Sequence, residues 1–398
     1  MNNLRFDPFN CTEKELAKFC FDFISIANKD ETNDRKSMNY ILDYMASKQV
    51  KSQIPLSFPL LVLWKISGSC NANCHHCWAA LNDKKSDSRQ IDIAEQLVKN
   101  EVLAVSLSGG EPFLNNRIFD LISILKRRNT IVEILSNGSL ITEEIARKLS
   151  ELLNPDTDLI QVSLDGSSKQ LHDKQRNAPI FDAALEGIKN LKKFNLKVRN
   201  VFVATPINQH DLYNTYKLAN DLGVDAFSPC PVFPLRKGNE FTSKIDSLQY
   251  LRQVAACKTI ENNSFTKLRV QVDQVYQSLI HKYYDNMYAL HDIKSETHLI
   301  LPEETNIRMQ IDAFGEVLPG PEWEKSFSAG NIYEKEIKEI WKNGHNWEEF
   351  RRGRDLSKTK CASCKIYTTC CGGNSKLAYE KYGTINMPDG TCLVEECV

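Results

Sequence analysis

The chain has 398 residues, enough for two or three domains with a well-buried core, and 42% of it is hydrophobic and 25% charged. Lys and Arg total 50 against 51 Asp and Glu; the net charge of −1 excludes charge-driven binding of nucleic acid or of an anionic membrane. No apolar run approaches the ~20 residues that span a bilayer, and the start Met-Asn-Asn-Leu-Arg-Phe-Asp lacks a signal peptide's apolar segment, so a cytoplasmic location is expected. Thirteen cysteines is a large number for a reducing compartment, and their clustering in two places points to metal rather than disulfides.

Residues 1–58 read as a helical lead-in. Thr12-Glu13-Lys14-Glu15 has the form of a capping box, followed at helical spacing by Leu16, Phe19, Cys20 and Phe23; a second helix carries Met38, Ile41, Leu42 and Met45. Cys11 and Cys20 are read as packing residues. Over residues 59–235, short apolar runs at 60–66, 103–107, 131–135, 159–164, 198–204 and 225–228 alternate with amphipathic helices, such as 117–126 and 181–194. Strand–helix alternation with short loops means βα repeats and a parallel sheet; six repeats fit a partial, open (βα)6 barrel of TIM type. Its active site is expected at the C-terminal ends of the strands.

Each motif with chemical content falls at such an end. After the first strand comes Cys70-Asn-Ala-Asn-Cys74-His-His-Cys77, a C-x3-C-x2-C spacing that puts three thiolates on one loop. Three thiolates hold three irons of a cubane and leave the fourth without a protein ligand; the alternative is a structural zinc completed by His75 or His76. After the second strand stands Ser108-Gly109-Gly110-Glu111-Pro112, where paired glycines let backbone approach a ligand closely and a carboxylate can accept from an ammonium. Ser136-Asn137-Gly138 follows the third strand. Ser163-Leu164-Asp165-Gly166 follows the fourth, with His172, Asp173 and Arg176 beyond it.

This set resembles the radical SAM family, whose cysteine signature it matches in full. The resemblance implies a [4Fe–4S] cluster on Cys70, Cys74 and Cys77, whose open iron binds S-adenosylmethionine (SAM), and reductive cleavage to a 5′-deoxyadenosyl radical. It implies that Gly109, Gly110 and Glu111 hold the methionyl amino group, that Ser136 (with Asn137 beside it at the barrel mouth) and Ser163 contact the ribose or carboxylate, and that Arg176 contacts the carboxylate. Asp165 and His172 are expected to brace the loop. Residues 205–208 are expected to line the adenosine pocket. Cys230, ending the sixth strand, is either a hydrogen donor, an extra ligand or a buried inert thiol.

From about 236 the composition shifts; residues 236–305 read as a helical linker with helices at 247–258 and 270–284, and Tyr276, Tyr283, Tyr284 and Tyr288 pack them. Residues 306–319 read as a β-hairpin around Asp312-Ala-Phe-Gly315, and a helix follows that ends at Ile340-Trp341. Over 306–398, Cys361-x2-Cys364-x5-Cys370, then Cys371-Gly372-Gly373 and Cys392, resemble the SPASM extension of radical SAM enzymes that modify ribosomal peptides. That extension carries seven cysteines for two auxiliary clusters. Here Gly320 and Asn374 stand at two expected cysteine positions, and no cysteine lies between 258 and 360. The resemblance therefore implies one auxiliary [4Fe–4S] cluster, on Cys361, Cys364, Cys370 and Cys392, with a four-cysteine zinc site as the alternative. Cys371 reads as packing or an alternative ligand, and Cys397 as an exposed thiol or a mobile donor.

The implied activity is hydrogen abstraction from a ribosomally made precursor peptide that becomes cross-linked, thioether-bridged or epimerised, with flavodoxin or ferredoxin as electron donor. The enzyme alternative is small-molecule, cofactor or tetrapyrrole biosynthesis. A different class is a zinc-stabilised, non-catalytic binding protein.

Overall fold

The computed structural model describes residues 7–12, 15–16, 57–77, 79, 89–233, 235–242, 245–263, 268–270, 299–300, 305–364 and 372–389. The chain forms two compact units, one of residues 58–272 with 308–344 and the other of 1–57 with 273–307 and 345–398.

The first unit is built on alternation. β1 (Leu61–Ser67) leads to α1 (Gln90–Lys99), β2 (Ala104–Gly109), α2 (Ile118–Lys126), β3 (Ile131–Ser136), α3 (Glu143–Leu152) and β4 (Leu159–Ser163). Then come α4 (Lys169–Arg176), α5 (Phe181–Lys193), β5 (Val198–Ala204), α6 (Leu212–Asp221), β6 (Ala226–Pro231), α7 (Ser247–Asn263) and β7 (Arg269–Val270). Strands β1 to β6 pair in sequence order, all parallel, and the sheet does not close, which is the expected partial barrel. Helix-facing strand residues such as Val62, Trp64, Ile66, Val132, Ile134, Ile160 and Val162 are buried against apolar stripes (Ile93, Leu97; Leu121, Leu125; Ile188, Leu191). Burying those stripes is the main favourable term in forming the layers.

Alternation leaves a second, inner face, half-buried and unusually polar for a parallel sheet: Lys65, Ser106, Ser108, Glu133, Gln161, Ser163 and Arg199 all lie on it. Arg199 is bonded to Glu133 and, at 2.8 Å, to Gln161 Oε1; Ser106 Oγ donates to Glu133 Oε2 at 2.7 Å.

Two features depart from the sequence expectations. Helix α7 runs to Asn263, past the expected end at 258. Val270, where periodicity starts a helix, instead ends β7, which pairs with Ala226 and Phe227 of β6; the open sheet edge overrides local propensity. Residues 271–284 lie outside the described residues, as do the tyrosines expected to pack there and the expected helix around 38–45.

The hairpin forms as read: β9 (Arg308–Ile311) and β10 (Glu316–Leu318) are antiparallel, and Asp312 Oδ1 accepts from the backbone N–H of Phe314 and of Glu316 at 2.8 and 2.9 Å. It also extends the main sheet, because β9 runs parallel beside β1 and β11 (Gly330–Asn331) closes that edge. Helix α8 (Ile337–Asn343) follows with Ile337, Ile340 and Trp341 buried.

In the second unit, Thr12 and Glu15 form the reciprocal capping box, with Thr12 N donating to Glu15 Oε2 at 2.8 Å and Glu15 N to Thr12 Oγ1 at 3.3 Å. β8 (Leu299–Ile300) pairs with β12 (Arg354–Asp355). Helices α9 (Glu348–Arg352) and α10 (Ser375–Tyr382) flank β12 in sequence.

Candidate active site

The cysteine loop leaves the end of β1 and is held from three sides. Toward β2, Gly110 N donates to Ser67 O and Glu111 N to Ser69 O, both at 2.8 Å. A Cβ on Gly109 would stand 2.3 Å from Ser67 O, and one on Gly110 would stand 2.2 Å from Ser69 O. Only glycine lets the two backbones lie this close. Toward β3, Asn137 Nδ2 donates to Asn71 Oδ1 at 2.7 Å, and Asn71 Nδ2 donates to Ser139 Oγ at 2.9 Å. Toward β4, His75 N donates to Gln175 O at 3.2 Å.

The three cysteines pack as one group around Ala72 and Ile180, with Cys74 buried and Cys70 and Cys77 half-buried. Burial, with Glu111 and the other two sulfurs nearby, pushes the Cys70 thiol up to about 11. Burial also raises Cys74, against the opposing pull of Arg176. Thiolates are the ligands for iron, so loading a cluster here displaces protons. Among the described residues no three His, Cys, Asp or Glu side chains converge on the position of a single ion. His76 is turned to Gln175, 2.9 Å from its Nδ1, and the three thiols that pack together supply sulfur donors for three corners of a cubane.

Glu111 is fully buried at the inner end of this arrangement. Its Oε1 accepts from Ser136 Oγ at 2.8 Å and Phe113 N at 3.2 Å, and its Oε2 accepts from Asn137 N at 2.8 Å. Burial pushes its pKa up to about 7, with those three donors holding it from rising further. Ser136 and Asn137 are thus engaged within the protein, fixing the carboxylate. Ser163 ends β4 on the inner face, and its hydroxyl makes no hydrogen bond among the described residues.

Arg176 is buried, pairs with Asp165 Oδ2 at 2.6 Å and donates to Cys74 Sγ at 3.7 Å. Burial opposes its charge, but Asp165 and Cys74 outweigh that and raise its proton affinity above the ordinary value. The residues around it are braces. Asp165 Oδ1 accepts from Val203 N at 2.8 Å, Asp165 N donates to His172 Nδ1 at 3.1 Å, and Asp173 Oδ1 accepts from Ile180 N and Phe181 N at the start of α5. Thr205 and Asn208 are fully buried and bonded internally, Asn208 Nδ2 donating to Asp165 O at 2.9 Å. Cys230 is half-buried at the end of β6.

Two contributors have partners that the sequence does not show, His76 having been read only as an alternative zinc ligand. His76 is buried with Gln175 Nε2 at 2.9 Å from its Nδ1 and Asp165 Oδ2 at 3.9 Å from its Nε2; burial first, then Arg176, holds it neutral. Lys65, on the inner face of β1, is depressed by burial, while Asp312, Cys77 and Glu322 favour its charge. The alternation of β1 would have placed Lys65 on the same face as Leu61 and Leu63, but nothing local to it announces Asp312.

In the second unit, Cys361 is buried against Leu356 with Cys364 beside it, and Cys364 N donates to Cys361 O at 3.1 Å. The tail is gathered by Arg354, which donates to the carbonyls of Ile385, Gly373, Gly372 and Met387 at 2.6–3.3 Å. Asn374 caps α10, accepting from Lys376 N and Leu377 N at 2.8 and 3.1 Å. Cys370 and Cys392, and with them Cys371 and Cys397, lie outside the described residues.

Residues 64–219 match the Radical SAM superfamily, and residues 304–365 match the SPASM family, an iron–sulfur cluster-binding domain. An AdoMet-dependent heme synthase of Methanosarcina barkeri is 25% identical over 346 residues, 84% of this chain and 96% of that protein. Mycofactocin maturase MftC of Mycolicibacterium smegmatis is 25% identical over 350 residues, 85% of this chain and 83% of that protein. Among solved structures, Streptococcus suis SuiB bound to its precursor peptide SuiA superposes with a TM-score of 0.69 at 19% identity, covering 88% of this chain and 79% of that one. Native anSMEcpe with bound AdoMet gives 0.62 at 20% identity, covering 84% of this chain and 94% of that one. At these identities the two structures speak to the fold. Among the described residues no helix is long and apolar enough to cross a membrane.

Proposed function

This chain belongs to the radical SAM superfamily and carries a SPASM iron–sulfur domain, and on that premise we propose that it modifies a ribosomally made peptide. Its [4Fe–4S] cluster and SAM, when bound, supply a 5′-deoxyadenosyl radical that takes a hydrogen atom from substrate. Cys70, Cys74 and Cys77 hold the cluster. The glycine-mediated contact between the Gly109–Gly110 backbone and the cysteine loop keeps the SAM-binding segment and the cluster in register. Glu111, held by Ser136 and Asn137, takes the methionyl ammonium, and Ser163 offers a free hydroxyl at the inner face. Arg176 is a positioning residue: bound by Asp165, it sets a fixed cation beside the Cys74 sulfur, which favours the thiolate. Cys361 and Cys364, with Cys370 and Cys392, hold one auxiliary cluster that relays electrons or stabilises the tail, and a flavodoxin or ferredoxin supplies the electrons. The compartment is the cytoplasm.

The observation that carries the peptide reading is the inner face, which holds charged and polar groups of both signs. Arg199 is bonded to Glu133, and Lys65 stands beside Asp312, so cations and carboxylates both stand on it. A peptide segment finds donors and acceptors of both signs on such a wall. The peptide seated in SuiB and the maturase activity of MftC support the same reading. The heme synthase relative favours a second one, conversion of a tetrapyrrole.

The test is anaerobic reconstitution with SAM, a reductant and peptides translated from short reading frames flanking the gene. The expected result is a mass change in one peptide together with 5′-deoxyadenosine. Peptides left unchanged while a coproporphyrin is converted would favour the tetrapyrrole instead.

A further inference from the structure

Gln310 is 1% exposed, and neither its Oε1 nor its Nε2 has a hydrogen-bond partner. Among the described residues it is the one buried amide open at both ends; Asn200, for comparison, leaves only its oxygen unbonded. Buried polar groups are normally paired, and an orphan amide weakens the fold unless something outside the chain completes it.

Its position is informative. Gln310 lies opposite Leu63 on β1 and opposite Leu318 on β10, so it shares the inner face of the sheet. Two residues further along the same strands, at their C-terminal ends, stand Lys65 and Asp312, with Ser108 opposite Lys65 on β2. Lys65 is within electrostatic range of Cys77, which ties this wall to the cysteine loop.

We propose that Gln310 is a specificity-determining residue that reads a carboxamide of the substrate. Nε2 donates to the amide carbonyl and Oε1 accepts from the amide N–H, the reciprocal pairing that one amide makes with another. Lys65 and Asp312 flank that pair as a cation and an anion. A carboxylate offers acceptors only and leaves Oε1 empty, so the site discriminates against it. The carboxamide belongs to a peptide backbone or to an Asn or Gln side chain. This inference rests on the peptide reading above.

The test is equilibrium dialysis of the anaerobically reconstituted holoenzyme, with SAM, against a fixed library of synthetic peptides, read by mass spectrometry. Wild type is compared with Gln310→Met, which keeps the volume and deletes donor and acceptor. Wild type is expected to retain a subset of peptides that the variant retains about tenfold less. Loss of retention with a backbone N-methylated library assigns the backbone amide; loss with a library lacking Asn and Gln assigns the side chain. The variant is expected to melt at or above the wild-type temperature, because it removes an orphan. Peptides retained equally by both proteins overturn this inference alone, as does a Gln310→Met melting point below wild type, which would reveal an internal partner. A wild type that retains no peptide overturns the peptide reading and this inference with it.

Discussion

The two cysteine-bearing regions are held by different means. The loop of Cys70, Cys74 and Cys77 hangs from the ends of parallel strands and is fixed by Ser67 and Ser69 carbonyls, an Asn71–Asn137 bond and the Asp165–Arg176 pair. The stretch around Cys361 and Cys364 belongs to a loop-rich tail, whose described part is gathered by one buried arginine on backbone carbonyls. The first is fixed by hydrogen bonds from the strand ends of the sheet, whereas in the second, metal binding supplies folding energy that the short elements lack. A reactive site needs preorganisation, while a closed cluster needs only ligands.

The largest expected effect breaks the comparison at the first region. Replacing Cys70, Cys74 and Cys77 together by alanine should lower SAM cleavage at least about a thousandfold. Iron should fall from about eight to about four per chain, as expected for two cubanes becoming one. Iron analysis and 5′-deoxyadenosine chromatography check this; loss of all iron would mean the regions are not independent. Next comes Arg354→Ala, which leaves four carbonyls without their shared donor and should cost about 4 kcal/mol locally. Anaerobic proteolysis should then cut the tail while leaving the barrel intact and SAM cleavage measurable. Arg176→Met strands Asp165 as an unpaired buried carboxylate and should destabilise the barrel by about 3 kcal/mol, read as a lower urea midpoint. Cluster loading should also shift to higher pH in that variant, since Cys74 loses the cation that favours its thiolate. The smallest effect sharpens the comparison: Asn137→Ala removes the bond to Asn71 and should cost about 1 kcal/mol. Its signature is slower cluster reconstitution at the first region with unchanged loading at the second.

Much of the barrel was legible because its signals are periodic. The strand at 198–204 was read with the bounds the structure gives, and the others within a few residues, since apolar runs and helix stripes are local properties of the chain. The hairpin at Asp312 was likewise visible, because an Asp–Gly turn carries its own hydrogen bonds. Its attachment to β1 was not, since which strand edge it pairs with depends on contacts distant in sequence. At the site, the residues were named but several of their partners were not. His172 reads as a brace, and it accepts from Asp165 N; what the sequence does not show is that Asp173 holds the start of α5 and that Arg176, read as a ligand contact, also reaches Asp165 and Cys74. Asn374, at an expected cysteine position, serves as a helix cap.

By itself the sequence determined the repeat architecture, the three-thiolate loop and the glycine pair beside it, because spacing along the chain dictates which strand end each motif reaches. Tertiary structure alone decided that Arg176 is shared between Asp165 and Cys74, and that Lys65 and the open amide of Gln310 stand on one wall. Such pairings depend on register between strands far apart in the chain, and on burial that turns a weak polar contact in water into a strong constraint.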